Sequence, residues 1–167
     1  MSREQNLRSN RLVFYENDVH RLDGELDTFL ELSSARCALL IDKEGHLVTR
    51  RGEVVGTSID AIAALIAGSF AATKEMARLL GESEFTVMFH QGARDSIQLQ
   101  LVGSRTLLAI LFDDRTNLGL VRFYAQETAR TLTQIFEDIS ARVATQDDPG
   151  LSQDFSTDAA AALDDLF

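Results

Sequence analysis

The sequence is poor in cysteine, proline and basic residues, and each shortage narrows what the chain can be. Its single cysteine, Cys37, allows no disulfide within the chain, and a reducing cytoplasm is the simplest home for it. Sixteen Lys and Arg against 26 Asp and Glu leave a formal charge of −10. That is the wrong sign for nucleic acid, whose phosphates need clustered cations, and it disfavours an anionic membrane surface for the same reason. Long apolar runs are missing too. The stretch Ala61 to Ala72 is interrupted by Gly68 and Ser69 and is too short to span about 30 Å of hydrocarbon, so no membrane insertion is expected. Arg3, Arg8 and Arg11 are followed by no apolar run, so no signal peptide is expected either.

What is present suffices for one core. The 167 residues are 45% hydrophobic and 25% charged, which fits one domain of ordinary size with an appendage. Residues 1 to 11 are polar and patternless and read as a flexible arm. The only proline, Pro149, lies in the breaker-rich stretch Gln146-Asp-Asp-Pro-Gly150, so the domain is expected to run from 12 to 144. Residues 145 to 167 carry six aspartates and no Lys or Arg. They divide into an acidic linker, 145–155, and a short C-terminal helix, 156–167, with Ser156 or Thr157 as its cap and Ala159, Leu163, Leu166 and Phe167 as an apolar strip.

Within the domain, Val19, Leu22, Leu26, Phe29 and Leu30 recur at helical spacing over Glu16 to Leu32. Ala35 to Ile41, the turn Asp42-Lys-Glu-Gly45 and the alternating His46 to Arg50 predict a hairpin. Thr57 or Ser58 can cap a second helix over 59 to 80, with Gly81 as its stop. Three strands follow, Glu84 to His90, Ser96 to Val102 and Thr106 to Phe112, joined by connections short enough to make them antiparallel. The middle one alternates strictly, so one face should be wet or polar. The last is nearly all apolar and belongs in the sheet centre. Residues 120 to 143 predict a third helix with Leu120, Phe123, Tyr124, Leu132, Ile135, Phe136, Ile139 and Val143 along its stripe. The class is α/β of the α+β kind: a five-stranded antiparallel sheet with helices on its faces.

Catalytic patterns are not apparent. His20, His46 and His90 are scattered with no second histidine or cysteine at ligand spacing. The pair Asp113-Asp114 suits turn and cap hydrogen bonds better than metal or acid chemistry. No phosphate-cradling glycine loop occurs, so no nucleotide, cofactor or metal is expected on the chain itself. Cys37 lies in an apolar run and reads as an inert buried thiol.

The second helix is the unusual element. Ala61, Ala64, Gly68, Ala71, Ala72 and Glu75 share one side, Ile62, Ile66, Phe70, Thr73, Ala77 and Leu80 another, and both sides are poor in charge. A mid-helix glycine costs about 1 kcal/mol relative to alanine, so Gly68 needs a reason. Either another backbone approaches the small face from outside, or that face lies tightly on its own sheet.

The order helix, hairpin, helix, three strands, helix resembles the Roadblock family. The stretches Phe89-His-Gln-Gly-Ala-Arg-Asp-Ser96, Val102-Gly-Ser-Arg105, Phe112-Asp-Asp-Arg-Thr-Asn-Leu-Gly-Leu-Val-Arg122 and Leu163-Asp-Asp-Leu-Phe167 are similar to its bacterial MglB group. So are Leu39-Leu-Ile-Asp-Lys-Glu-Gly45, Leu65-Ile-Ala-Gly-Ser-Phe-Ala-Ala72 and Leu79-Leu-Gly-Glu82. The resemblance implies a homodimer, without catalytic residues of its own, that stimulates GTP hydrolysis by a small Ras-like GTPase of the MglA type in cell polarity and surface motility, in the cytoplasm and at a cell pole. It also implies a platform formed by two copies of the second helix, here Ala61, Ala64, Leu65, Gly68 and Ala72, with Arg122 and Gln126 at its margin and Leu163, Leu166 and Phe167 as a C-terminal docking strip. Arg105 and Arg115, on loops, are the candidates for an arginine finger. The alternatives are a passive scaffold and an exchange factor.

Overall fold

The computed structural model describes residues 16–53 and 58–146. Its elements are α1 (Glu16–Ser33), β1 (Cys37–Asp42), β2 (Leu47–Gly52), α2 (Ile59–Leu80), β3 (Val87–Gln91), β4 (Ser96–Val102), β5 (Thr106–Phe112) and α3 (Leu118–Gln146). The chain divides inside α3, and Tyr15–Phe136 forms the compact unit that holds α1, α2, the whole sheet and the first turns of α3. The expected arm, the acidic linker beyond Gln146 and the C-terminal helix lie outside the described residues. No helix among the described residues is long and apolar enough to cross a membrane.

Local chemistry fixes the helix ends. Of the two cap candidates, Ser58 starts α2, its hydroxyl oxygen accepting from the Ala61 N–H. Gly81 ends it at φ +81°, where its own N–H reaches the Arg78 carbonyl and that of Glu82 the Ala77 carbonyl. Asn117 caps α3 by accepting from the Leu120 N–H at 3.0 Å.

The strands form one antiparallel sheet in the order β2-β1-β5-β4-β3, which puts the apolar β5 at its centre. Registers such as Leu39↔Ala109↔Leu99 align apolar rows across β1, β5 and β4. On one face that row packs with Ile59, Ala63, Ile66 and Phe70 of α2 into a single cluster. Burying such side chains is worth roughly 1.5–3 kcal/mol each for the larger ones, and this burial holds α2 in place. The alternate residues Ala38, Leu40, Leu108 and Ile110 are fully buried on the second face. There α1 is tied to β2 by the Thr49 hydroxyl donating to Asp23 and by Arg51 forking onto Asp27 at 2.7 and 2.9 Å.

Four details sharpen or correct the sequence reading. The polar face of β4 is dry: Gln98 and Gln100 are buried, and neither amide atom of Gln98 has a partner among the described residues. Strand β3 begins at Val87 and not at Glu84, whose carboxylate pairs with Lys43 at 3.1 Å. The stripe of α3 is rotated at its start: Val121, Ala125 and Ala129 are buried while Leu120 and Phe123 are exposed. Leu80, grouped by spacing with the sheet-facing residues of α2, is exposed at the helix end.

Candidate functional site

The exposed side of α2 is the most unusual surface. Ala61, Ala64, Gly68, Ala71 and Ala72 all face outward. A Cβ built on Gly68 would meet nothing within 4 Å, so its own sheet does not require glycine there. Of the two explanations for the small face, packing against its own sheet is therefore excluded. Large apolar side chains lie with it: Leu65 is 74% exposed, Leu79 72% and Met76 51%.

Helical spacing divides this surface into two flanks. Ala61, Leu65, Gly68, Ala72, Met76 and Leu79 recur at intervals of three and four and include no ionisable group. Asp60, Lys74 and Arg78 fall on the opposite flank, with Ala64 and Glu75 along the crest between them. Gly45, in the β1–β2 turn, fixes the orientation. A Cβ there would lie 3.1 Å from the Ala64 Cα and 3.5 Å from the Ala67 Cβ, and its φ of +95° also favours glycine. The charged flank therefore looks toward the β1–β2 side. The uncharged flank looks away from that turn. Elsewhere on the molecule, the outer edge of β3 has no partner strand among the described residues.

The other expected residues are more dispersed. Arg122 and Gln126 are exposed on the first turns of α3, which contributes nothing to the cluster beneath α2, so one protomer does not join them to the α2 face. Leu163, Leu166 and Phe167 lie outside the described residues. Arg115 is engaged locally: its Nε lies 3.0 and 3.2 Å from the two Asp113 carboxylate oxygens, and its N–H donates to one of them. These bonds hold the Asp113 carboxyl below the usual carboxylate range, and Arg36 adds a longer ion pair at 3.8 Å. Arg105 meets the β1–β2 turn, its carbonyl accepting from the Lys43 N–H.

Cys37 is fully buried, and that burial pushes its thiol up to about 11, with Arg50 and Arg36 pulling the other way by less. Such a thiol is a poor nucleophile at neutral pH. Sequence reasoning missed two groupings. Asp42, Glu44 and His46 bring ligand-type atoms within 4.8 Å of one another on the β1–β2 turn. At the opposite end of the sheet an open polar cavity of about 430 Å³ is lined by Arg36, Ala93, Arg94, Asp95, Asp113 and Asp114. Its Arg36–Asp95 pair at 2.8 Å joins the β3–β4 turn to the start of β1. Residues some sixty apart in the chain leave no signature in a linear pattern, whereas the alternate spacing of Asp42, Glu44 and His46 was a signal that could have found the first grouping.

The Roadblock/LC7 domain matches the chain over residues 23–112. Among solved structures, gliding protein MglB from Thermus thermophilus is 33% identical, with 76% of this chain and 96% of that one covered and a TM-score of 0.71. Myxococcus xanthus MglB is 38% identical over 71% of this chain and 96% of its own, with a TM-score of 0.68. An MglB described as having a tetrameric arrangement is 33% identical over 77% and 96%, with a TM-score of 0.71. No curated protein matches the chain.

Proposed function

This chain belongs to the Roadblock/LC7 family, and from that premise we propose that it is a homodimeric regulator that binds a small Ras-like GTPase of the MglA type in its GTP state and stimulates GTP hydrolysis. The observation that carries the reading is the outward, charge-poor side of α2. Exposed Leu65, Met76 and Leu79 beside a stripe of small residues form an apolar surface of the kind that marks a protein interface. It has two occupants in this reading. A second copy covers the uncharged flank, which carries the exposed Leu65, Met76 and Leu79 and no ionisable group, and a two-fold axis lets such a surface pair with itself. The GTPase rests across the crest, where Ala64 lets its backbone come close, and onto the part of the uncharged flank next to it, with Ala61, Leu65, Gly68 and Ala72, while Arg122 and Gln126 lie at the margin.

The chain contributes no catalytic group in this reading. An arginine finger would be worth roughly 10³–10⁵ in rate, but Arg115 is already committed to Asp113, its Nε–H shared between both carboxylate oxygens, and would have to surrender that contact to reach a nucleotide. Hydrolysis is stimulated instead by binding one arrangement of the GTPase's own switch segments. A regulator can shift that population only by as much as it prefers the state it selects. The C-terminal residues 156–167, through Leu163, Leu166 and Phe167, fold on the same GTPase as a short amphipathic helix. The pair acts in cell polarity and gliding motility, at a cell pole.

The test is single-turnover GTP hydrolysis by an MglA-type GTPase with and without the full-length protein, followed by nucleotide release. Faster hydrolysis supports the reading. Faster release alone makes the protein an exchange factor, and binding with neither change makes it a scaffold. Light scattering at micromolar concentration must return twice the monomer mass.

A further inference from the structure

A turn can hold an ion when its backbone is fixed before the ion arrives and its donor atoms converge on one place. The β1–β2 turn meets the first condition. One Asp42 carboxylate oxygen, Oδ1, accepts from the N–H groups of Glu44 at 3.0 Å and His46 at 2.8 Å. The Gly45 N–H donates to the Asp42 carbonyl, and the Asp42 N–H donates to the His46 carbonyl.

The side chains meet the second. With Oδ1 taken up by the backbone, Asp42 keeps Oδ2 as its ligand atom, 3.2 Å from the His46 Nδ1, and the Glu44 Oε2 lies 3.7 Å from the same nitrogen. All three atoms fall within 4.8 Å of one another. An ion bonded to nitrogen and oxygen at about 2.0–2.2 Å holds neighbouring ligand atoms roughly 2.9–3.4 Å apart, so small rotations of the exposed Glu44 and His46 side chains complete the set. Charge agrees with this. Lys43, the permanent cation of the turn, is engaged elsewhere, its Nζ 3.1 Å from Glu84 and 5.5 Å from the Phe70 ring centroid. The imidazole decides the class of ion: carboxylates alone suit Mg²⁺ or Ca²⁺, whereas a nitrogen donor beside them favours a first-row transition ion such as Zn²⁺.

We propose that the β1–β2 turn is a Zn²⁺ site, with Asp42 Oδ2, Glu44 Oε2 and His46 Nδ1 as ligands and water completing the coordination. The scattered histidines spoke against a site built on two histidines or on a histidine and a cysteine. One imidazole with two carboxylates is a different donor set, and the turn brings it together from five consecutive residues. The site stands on this turn alone. It does not depend on the docking face of α2, so either can fail without the other.

The experiment titrates Zn²⁺ into the full-length wild-type, His46→Gln and Glu44→Gln proteins, with calorimetry for affinity and NMR of the histidine rings for location. The wild type should bind with micromolar affinity and move the ring signals of His46, leaving those of His20 and His90 in place. Each substitution removes a ligand outright and should weaken binding at least about tenfold. Zn²⁺ should also raise the melting temperature of the wild type and not of the variants. Both substituted side chains are exposed, and Glu44→Gln leaves the backbone bonds of the turn and the Asp42–His46 contact intact, so circular dichroism should show an unchanged fold. An unchanged affinity in either variant overturns the three-ligand set, and so does movement confined to His20 or His90. Millimolar binding, or displacement of Zn²⁺ by an equal concentration of Mg²⁺ or Ca²⁺, also overturns it, because the turn would then be an acidic surface that attracts any cation.

Discussion

Replacing Gly68 with alanine should move stability and association in opposite directions. Gly68 lies in the middle of a 22-residue helix, and the added methyl would meet nothing within 4 Å in the monomer. In isolation the substitution therefore carries only its helix-propensity gain, about 0.8–1 kcal/mol of added stability. For a domain of this size that amounts to roughly 2–4 °C in melting temperature. Against a partner the same methyl is an intrusion. If a second backbone comes close at Gly68, forcing it away costs typically 1–3 kcal/mol, which is about five- to 150-fold in the dissociation constant.

The measurement needs both quantities. Folding and dimerisation are linked, so urea denaturation must be run at several protein concentrations to separate the intrinsic term from mass action. Sedimentation equilibrium then gives the dimer constant, and titration with the GTP-bound partner gives the other affinity. The expected result is a steadier monomer with a weaker dimer, a weaker GTPase complex, or both. A Gly68→Ala protein that gains stability and keeps both affinities would refute the reasoning, because nothing would then approach the helix at that point.

Three further outcomes follow from particular groups. Gln98→Leu should stabilise the fold by about 1–3 kcal/mol in urea denaturation, since the buried amide lacks a partner among the described residues and its cross-strand neighbours Phe89 and Ile110 are apolar; a loss of stability would mean that the amide is satisfied in solution. Deleting residues 156–167 should weaken GTPase binding or alter nucleotide release with the dimer mass intact, and equality with the full-length protein in affinity, hydrolysis and release would make the tail a solubilising end only. Asp113 titrates below its ordinary value in the folded protein because of Arg115, so its contribution is present at neutral pH and is lost as pH falls below about 4, through the lowered folded value. The stability gap between wild type and Asp113→Asn should therefore be flat above that pH and close beneath it.

The parts of the fold that were legible are those where one residue type has one local job. Ser58 and Gly81 mark the ends of α2 because a hydroxyl acceptor and a left-handed glycine each satisfy helix-terminal groups that little else can. The unbroken apolar run Leu107 to Phe112 placed β5 at the centre because only a strand covered on both faces tolerates it. Alternation in β4 was weaker evidence. It assigns Gln98 and Gln100 to one face, and whether that face is wet depends on elements far away in the chain. The start of α3 was misread for a related reason. Leu120 and Phe123 carry a strong apolar signal, whereas Ala125 and Ala129, which are the buried pair, carry a faint one.

The candidate site shows the limit most clearly. Spacing divided α2 into a large apolar side, Ile62, Ile66 and Phe70, and a small one, but since neither carries much charge it left open whether the small side lies on its own sheet or meets something outside. The sheet can cover only one of them. Geometry supplies the missing term: α2 lies on a single face of the sheet, so its small side, with Leu65, Met76 and Leu79, is left to water. An apolar helix face that the fold does not cover is costly in a soluble chain unless another surface covers it. A helix poor in charge all round, of which one side stays exposed in the monomer, is what motivates the proposal of association.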